Sequence, residues 1–273
     1  MTDIIQCGRI QIGSGMPLAL IAGPCVLEDY ETAFQTARTL KAVTAELGMP
    51  FIFKASYDKA NRSAITSFRG PGLTEGLAML GRIKQELDIP IISDVHLPQE
   101  IAPAAEVLDI LQVPAFLCRQ TDFIIQIAKT GKIINIKKGQ FLAPWDVINV
   151  VDKAAAAGND RLLITERGSV FGYNNLVVDF RGIPIMREQT KKPVIFDATH
   201  SVQLPGGSGT SSGGQREFAP VLARAAVAAG ADGIFMEVHP DPDRALCDGP
   251  NSLQLDRVAD VLTTLMAIRE AIQ

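Results

Sequence analysis

Eight short apolar runs, separated by longer amphipathic stretches, constrain the fold of this 273-residue chain more than any other feature. Apolar runs of this length that lie between helices are typical of parallel strands buried on both faces. The predicted strands are Leu18–Ala22, Phe51–Phe53, Ile89–Ser93, Leu108–Gln112, Ile133–Ile136, Leu162–Thr165, Pro193–Phe196 and Gly233–Met236. The predicted helices are Tyr30–Leu47, Thr74–Leu87, Thr121–Thr130, Trp145–Ala157, Arg216–Ala229 and Leu253–Ile272.

Eight strands that alternate with helices predict a closed (β/α)8 TIM barrel. Such a barrel needs about 250 residues, so we expect one catalytic domain over residues 1–273. A doubly wound open sheet is the alternative, but no GxGxxG follows the first strand, where that fold usually grips a dinucleotide. Residues Ile4–Ile12 are expected in a short hairpin that closes the barrel bottom. The Gly/Ser-rich stretch Ser201–Gln215 follows the seventh strand and predicts a mobile lid.

Composition excludes several classes of function. The chain is 47% hydrophobic and 21% charged with a net charge of -4, so its surface as a whole does not attract nucleic acid or anionic membrane. No apolar run reaches the ~18 residues of a membrane span, and no signal peptide is evident. The four cysteines are widely scattered, which fits a reducing compartment. We therefore expect a cytoplasmic protein.

Polar side chains follow each of the eight predicted strands, at the barrel end where enzymes of this architecture carry their chemistry. Six of them are cations, and their natural partners are phosphate and carboxylate groups. Their number exceeds what one monophosphate needs, which indicates two anionic groups or two ligands. These cations are Lys54, Lys59, Arg62, Arg119, Lys137 and Arg167.

A thiol, an imidazole and two carboxyl groups form a second candidate cluster, since all are metal ligands. Cys25, His200 and Glu237 follow strands one, seven and eight, which adjoin when a barrel closes, and Asp248 lies on the last loop. Spacing alone leaves a metal site open beside the alternative of a buried apolar cysteine and a hydrogen-bonded histidine.

A set of motifs distributed over Ala19–Ser252 resembles the 3-deoxy-D-manno-octulosonate 8-phosphate synthases. The most specific is KASYDKANRS, and the others are IAGPC, SDVH, PAFLCRQTD, NIKKGQF, ERGSVFGYNNLVVDFRGIPIM, FDATHSVQLPGG and EVHPDPDRALCDGPNS. The related synthase of aromatic biosynthesis usually carries a KPRTSP-like segment where this chain has KANRS. The resemblance implies condensation of phosphoenolpyruvate with D-arabinose 5-phosphate, which yields the eight-carbon acid phosphate of lipopolysaccharide precursor synthesis and inorganic phosphate.

The resemblance also implies roles for individual residues. The groups expected to hold phosphoenolpyruvate are Lys54, Ser56, Lys59, Lys137, Arg167, Gln112 and the backbone near Ala115. Those expected to hold arabinose 5-phosphate are Asn61, Arg62 and Ser63, with Arg119 reaching the sugar phosphate of a neighbouring subunit in a homotetramer. Asp94 is expected to contact the hydroxyl groups of the sugar. The residues assigned to catalysis are Lys54, Lys59, Asn61, Lys137, Arg167, His200 and Asp248.

The family has a metal-dependent and a metal-independent branch, and the latter carries Asn where this chain has Cys25. The resemblance therefore implies one divalent ion held by Cys25, His200, Glu237 and Asp248. The donor set leaves Zn2+, Fe2+, Mn2+ and Co2+ open, and it leaves open whether the ion polarises the aldehyde or positions water.

Three other functions stay open from the sequence. A synthase that uses erythrose 4-phosphate shares this barrel, a Schiff-base aldolase would use Lys137 or Lys54, and a binding module would need no chemistry. Turnover with each aldehyde and borohydride trapping distinguish the three.

Overall fold

A computed structural model of the chain describes residues 1–62, 64–206 and 213–272. Eight parallel strands form its centre, and each pairs with the next in chain order. The last strand pairs with both the first and the seventh, which closes the sheet into a barrel and excludes the open doubly wound alternative. The barrel strands are β1 Ala19–Gly23, β2 Phe51–Lys54, β3 Ile91–Asp94, β4 Ile110–Val113, β5 Ile133–Lys137, β6 Leu162–Glu166, β7 Val194–Asp197 and β8 Gly233–His239.

Helices follow the strands, as the TIM-barrel prediction requires. They are α1 Tyr30–Glu46, α2 Leu73–Leu87, α3 Ile101–Val107, α4 Thr121–Ala128, α5 Ile148–Ala156, α6 Gly182–Thr190, α7 Ala219–Ala228 and α8 Val258–Ala271. The sequence pattern did not predict α3 and α6. Both are short and carry a proline at their third residue, so they have too few turns to develop a clear 3.6-residue period.

Alternation along the strands creates two apolar cores. Residues that point outward from the barrel pack beneath the helices, as Leu20, Phe53 and Ile164 do. Residues that point inward form a separate cluster inside the barrel. This inner cluster contains Ala19, Ile21, Ile52, Ile92, Ile110, Ile133, Leu163, Ile195 and Phe235.

The N-terminal hairpin closes the barrel bottom, as predicted. Strand Ile5–Cys7 pairs antiparallel with Ile10–Ile12. Ile5, Cys7 and Ile12 are buried and belong to the inner apolar cluster of the barrel. The hairpin is therefore an apolar plug at this end of the barrel.

The stretch predicted as a lid lies partly outside the described residues. Gln203–Leu204 pairs antiparallel with Gly213–Gly214, and the residues between 206 and 213 are not described. The predicted ligand residue Ser63 also lies outside the described residues. Among those that are described, no helix combines the length and apolarity that crossing a membrane requires.

Candidate active site

The inward-facing positions change from apolar to polar at the carboxyl ends of the strands. On β2, Ile52 belongs to the inner apolar cluster and Lys54 lies one step above it. On β5 the same alternation places Asn135 and Lys137 above Ile133. The resulting polar layer forms the floor of a cavity of ≈ 670 Å³. The sequence-based prediction of one site at these strand ends agrees with this arrangement.

Lys54 and Glu237 form a fully buried ion pair beneath the cavity. Nζ of Lys54 donates a hydrogen bond to Oε1 of Glu237 at 2.6 Å and a second to the backbone oxygen of Cys25 at 3.2 Å. Nζ of Lys59 lies 3.6 Å from the same Oε1. Burial alone would raise the pKa of Glu237, but the two ammonium groups lower it well below its usual range. Glu237 is therefore an anion that two lysines share.

A second buried pair lies across the barrel between β5 and β7. Nζ of Lys137 donates to Oδ2 of Asp197 and lies 3.3 Å from the ring centre of Phe235. Burial lowers the pKa of Lys137 to about 8, although the Asp197 carboxylate opposes this shift. Lys137 is thus a cation near neutral pH that loses its charge in mildly alkaline solution.

Asp197 also orients the imidazole of His200. Its Oδ2 lies 2.7 Å from Nδ1 of the ring. This contact leaves Nε2 directed toward the cavity, 3.6 Å from Oε2 of Glu237 and 3.8 Å from Oδ2 of Asp248. A carboxylate that fixes one ring nitrogen while the other faces acidic groups is the arrangement found around histidine metal ligands.

The four predicted metal ligands lie in two groups that share Asp248. Potential ligand atoms of His200, Glu237 and Asp248 all lie within 4.8 Å of one another, and so do those of Cys25, Cys247 and Asp248. Sγ of Cys25 lies 3.1 Å from Sγ of Cys247, and burial raises the pKa of Cys25 well above its usual range. Cys247 was not predicted, although it directly precedes a predicted ligand.

Two arginines, Arg62 and Arg167, complete the cationic lining of the cavity. Arg167 donates to Oε1 of Gln203 at 3.0 Å, and its buried Nη1 has no hydrogen-bond partner among the described residues. Nη1 of Arg62 lies 2.6 Å from Sγ of Cys247 and 3.9 Å from Oδ1 of Asp248. Both guanidinium groups therefore retain donors for an anionic ligand.

A chain of buried hydrogen bonds joins the polar ends of neighbouring strands. Ser56 and Gln112 both donate to the carboxylate of Asp94, at 2.6 and 2.7 Å. Asn135 donates to Gln112 at 2.8 Å, and Thr165 donates to Asn135 at 2.7 Å. Sequence reasoning missed Asn135 and Thr165. The signal was present in the inward-facing positions of IINIK and LLITE, but these polar residues lie within the predicted strands and not after them.

The structure gathers most of the predicted site residues around this cavity. Its lining includes Lys54, Lys59, Asn61, Arg62, Asp94, Gln112, Ala115, Lys137, Arg167, His200 and Asp248. Ser56, Cys25 and Glu237 are buried beside it. Arg119 is exposed and lies outside the lining. Lys138, next to Lys137, turns away and donates to the backbone oxygens of Leu142 and Gly168.

Comparison with known proteins gives the same family as the motifs. Residues 2–273 match the model of the DAHP synthetase I family. The chain is 70% identical to a 2-dehydro-3-deoxyphosphooctonate aldolase of Desulfosudis oleivorans, over 99% of this chain and 97% of that protein. Proteins of the same name from Citrifermentans bemidjiense and a Geobacter species are 60% and 59% identical, each over 98% of both chains. The predicted resemblance is confirmed, and the chain belongs to the DAHP synthetase I family.

Proposed function

We propose that the chain condenses phosphoenolpyruvate with D-arabinose 5-phosphate and water, to give 3-deoxy-D-manno-octulosonate 8-phosphate and inorganic phosphate for lipopolysaccharide precursor synthesis. The observation that carries the proposal is one cavity lined by five cations, in a chain whose full-length relatives bear the name of this activity. The same names favour arabinose 5-phosphate over erythrose 4-phosphate as the aldehyde.

The anionic groups of phosphoenolpyruvate are assigned to the inner cations. Lys59, Lys137 and Arg167 line the cavity, and Lys54 lies at its floor. Burying a phosphate and a carboxylate requires several fixed positive charges, since neither anion is stable in a site of low polarity without them. Asn61 and Arg62, which also line the cavity, are assigned to arabinose 5-phosphate, and Asp94 is assigned to the hydroxyl groups of the sugar.

The reaction joins C3 of phosphoenolpyruvate to the aldehyde carbon while the oxygen of water joins C2. The resulting hemiketal phosphate collapses with cleavage of its C–O bond, which releases phosphate. The protein contributes fixed charge and orientation: the cations neutralise the phosphate, and the polar layer holds the aldehyde against C3. Asp248, which lines the cavity, is the group that we assign to receive or return protons.

We also assign a divalent metal to Cys25, His200, Glu237 and Asp248, because the residues present fit such an ion. Ligand atoms that share one ion at ~2.0–2.3 Å lie about 3–4 Å apart, which compares with the 3.6 and 3.8 Å from His200 to the two carboxylates. Oε2 of Glu237 is buried without a hydrogen-bond partner among the described residues, so it has a lone pair to offer. The ion would supply an electrophile that orients the aldehyde.

The metal assignment is tested by metal content as well as turnover. Cys25→Ser is expected to lose bound metal after dialysis and to lose activity, because the hydroxyl is a poorer ligand than the thiolate. Cys7→Ser is the matched control, since Cys7 is an equally buried thiol in the hairpin at the far end of the barrel. Full activity of metal-free protein would contradict the assignment.

The exposed position of Arg119 fits a role in a homotetramer. Its backbone oxygen accepts a hydrogen bond from Lys153 at 2.9 Å, which anchors the loop that carries it. Phe116 on this loop is 56% exposed, and so is Trp145 on the next. Aromatic surface of this kind is enriched where subunits meet. We assign Arg119 to the sugar phosphate in a neighbouring subunit.

Phosphate release is the direct test of the function. We expect release from phosphoenolpyruvate only when arabinose 5-phosphate is present, and a strong loss in Arg167→Gln. Arg161→Gln is the matched control, because Arg161 directly precedes β6, at the opposite end of that strand, and donates to the backbone oxygens of Gly131 and Gln6. Absence of release with any aldehyde would favour a binding module. Trapping by borohydride on Lys137 would favour a Schiff-base aldolase.

A further inference from the structure

The hydrogen-bond chain through the polar layer has a single direction. The hydroxyl of Thr165 donates to Oδ1 of Asn135, Nδ2 of Asn135 donates to Oε1 of Gln112, and Nε2 of Gln112 donates to Asp94. Each bond lies between adjacent strands, from β6 through β5 and β4 to β3. All the donors point toward the Asp94 carboxylate, so the chain determines which way each amide faces.

The two ends of this hydrogen-bond chain have different surroundings. Gln112 and Asp94 line the cavity. Asn135 and Thr165 are fully buried and do not belong to the lining. Burying an amide and a hydroxyl inside an apolar barrel costs free energy unless both are hydrogen-bonded. Here Asn135 donates to Gln112 and Thr165 donates to Asn135. Both residues therefore influence Gln112 through hydrogen bonds and do not act on a ligand directly.

Without Asn135, Oε1 of Gln112 is a buried acceptor that has lost its donor, and only the contact with Asp94 still orients the amide. The amide is then expected to shift toward another donor, which weakens the hydrogen bond from its Nε2 to Asp94. The Nζ of Lys54 lies 4.0 Å from Oδ2 of Asp94, so a displaced Asp94 also alters the charge around a cation at the cavity floor. The orientation of Gln112 therefore affects both Asp94 and Lys54.

We infer that Asn135 and Thr165 are positioning residues, which hold Gln112 and Asp94 in the orientation that the substrates require. The inference rests on the proposed function for the identity of the substrates. It assigns no contact with the substrates to Asn135 or Thr165. Their effect on turnover passes through Gln112.

Asn135→Leu tests this inference because leucine has a similar size but no hydrogen-bonding group. We expect kcat/KM for phosphoenolpyruvate to fall by on the order of 10²-fold, a loss that a misplacement of about 1 Å can cause. Thr165→Val is expected to cause a smaller fall, since it removes only the outermost donor. Thr165→Ser is expected to have the kcat/KM of the wild type because it keeps the hydroxyl.

Ser93→Ala is the matched control. Ser93 lies on β3 next to Asp94, and its buried hydroxyl has no hydrogen-bond partner among the described residues. The alanine variant should keep the wild-type kcat/KM. A loss of kcat/KM in Ser93→Ala equal to that in Asn135→Leu would mean that any change close to Asp94 disturbs turnover, and the inference would be overturned.

A double-mutant cycle separates positioning from general stability. In a Gln112→Ala background, Asn135→Leu should change kcat/KM by no more than about twofold, because its target is gone. Independent effects, or a loss of thermal stability without a kinetic effect, would overturn the inference.

Calorimetric titration with phosphoenolpyruvate alone compares the binding affinity of the wild type with that of Asn135→Leu. If wild-type protein binds phosphoenolpyruvate but releases no phosphate with either aldehyde, the proposed function fails while weaker binding in Asn135→Leu still supports the positioning role.

Discussion

Lys54→Met should lower the free energy of unfolding, because it leaves the buried carboxylate of Glu237 without its closest cation. Lys54 and Glu237 are almost completely buried, and their closest atoms are 2.6 Å apart. Removing one member of such a pair leaves an uncompensated charge, which typically costs ~3–5 kcal/mol. Lys59 lies 3.6 Å from the same carboxylate oxygen and compensates in part, so we expect about 3 kcal/mol, the lower end of that range.

For a chain of this size, ~1 kcal/mol corresponds to roughly 2–4 °C in Tm, so Lys54→Met should melt roughly 6–12 °C lower in calorimetry. Adding Glu237→Gln removes the unpaired charge and should recover much of the lost Tm, because a neutral pair has a smaller desolvation cost. Phosphate release should stay low in the double variant, since both groups belong to the proposed site. A Tm within about 2 °C of wild type for Lys54→Met, or no recovery in the double variant, would refute this reasoning.

Three further predictions concern other parts of the molecule. Because burial lowers the pKa of Lys137 to about 8, kcat/KM for phosphoenolpyruvate should fall as pH rises from 7 to 9 and the cation is lost. Lys137→Arg should shift or remove that fall, and a pH profile identical to that of the wild type would contradict this assignment of the fall to Lys137. Arg119→Ala should raise KM for arabinose 5-phosphate and change kcat little, whereas an unchanged KM argues against a role in the neighbouring subunit. Ile12→Ala should cost ~2–5 kcal/mol in urea unfolding, because the side chain is fully buried in the barrel plug; a cost under ~1 kcal/mol would show that the plug is not tightly packed.

The barrel could be predicted from the sequence because its signal is local and repeated. Each strand is an apolar run between helices. The run that contains Ile133, for example, can be recognised without knowing which residues lie next to it in the fold. Strand ends were less exact: Lys54, Lys137 and Asp197 were predicted after their strands but lie within them as inward-facing residues. A charged residue ends an apolar run in sequence, yet it continues a strand when it points into a polar cavity.

The candidate site was predictable as a set of residues but not as a set of contacts. The strand-end rule and the motifs identified Lys54, Glu237 and His200. Neither could indicate that Glu237 is shared by two lysines, or that Cys247 lies against Cys25, because those pairs are separated by about two hundred residues of chain. Such contacts depend on barrel closure and on the path of the last loop, which no local pattern encodes. Asn135 shows the same limitation, since its role follows from neighbours on two other strands.

Competition between the two aldehydes tests the central claim most directly. Wild-type protein, supplied with its metal, is mixed with phosphoenolpyruvate and equal concentrations of arabinose 5-phosphate and erythrose 4-phosphate, and the products are identified by mass spectrometry while phosphate is measured. We expect the eight-carbon acid phosphate to predominate and one phosphate to appear for each molecule formed. A predominantly seven-carbon product, or an eight-carbon product without release of phosphate, would contradict it.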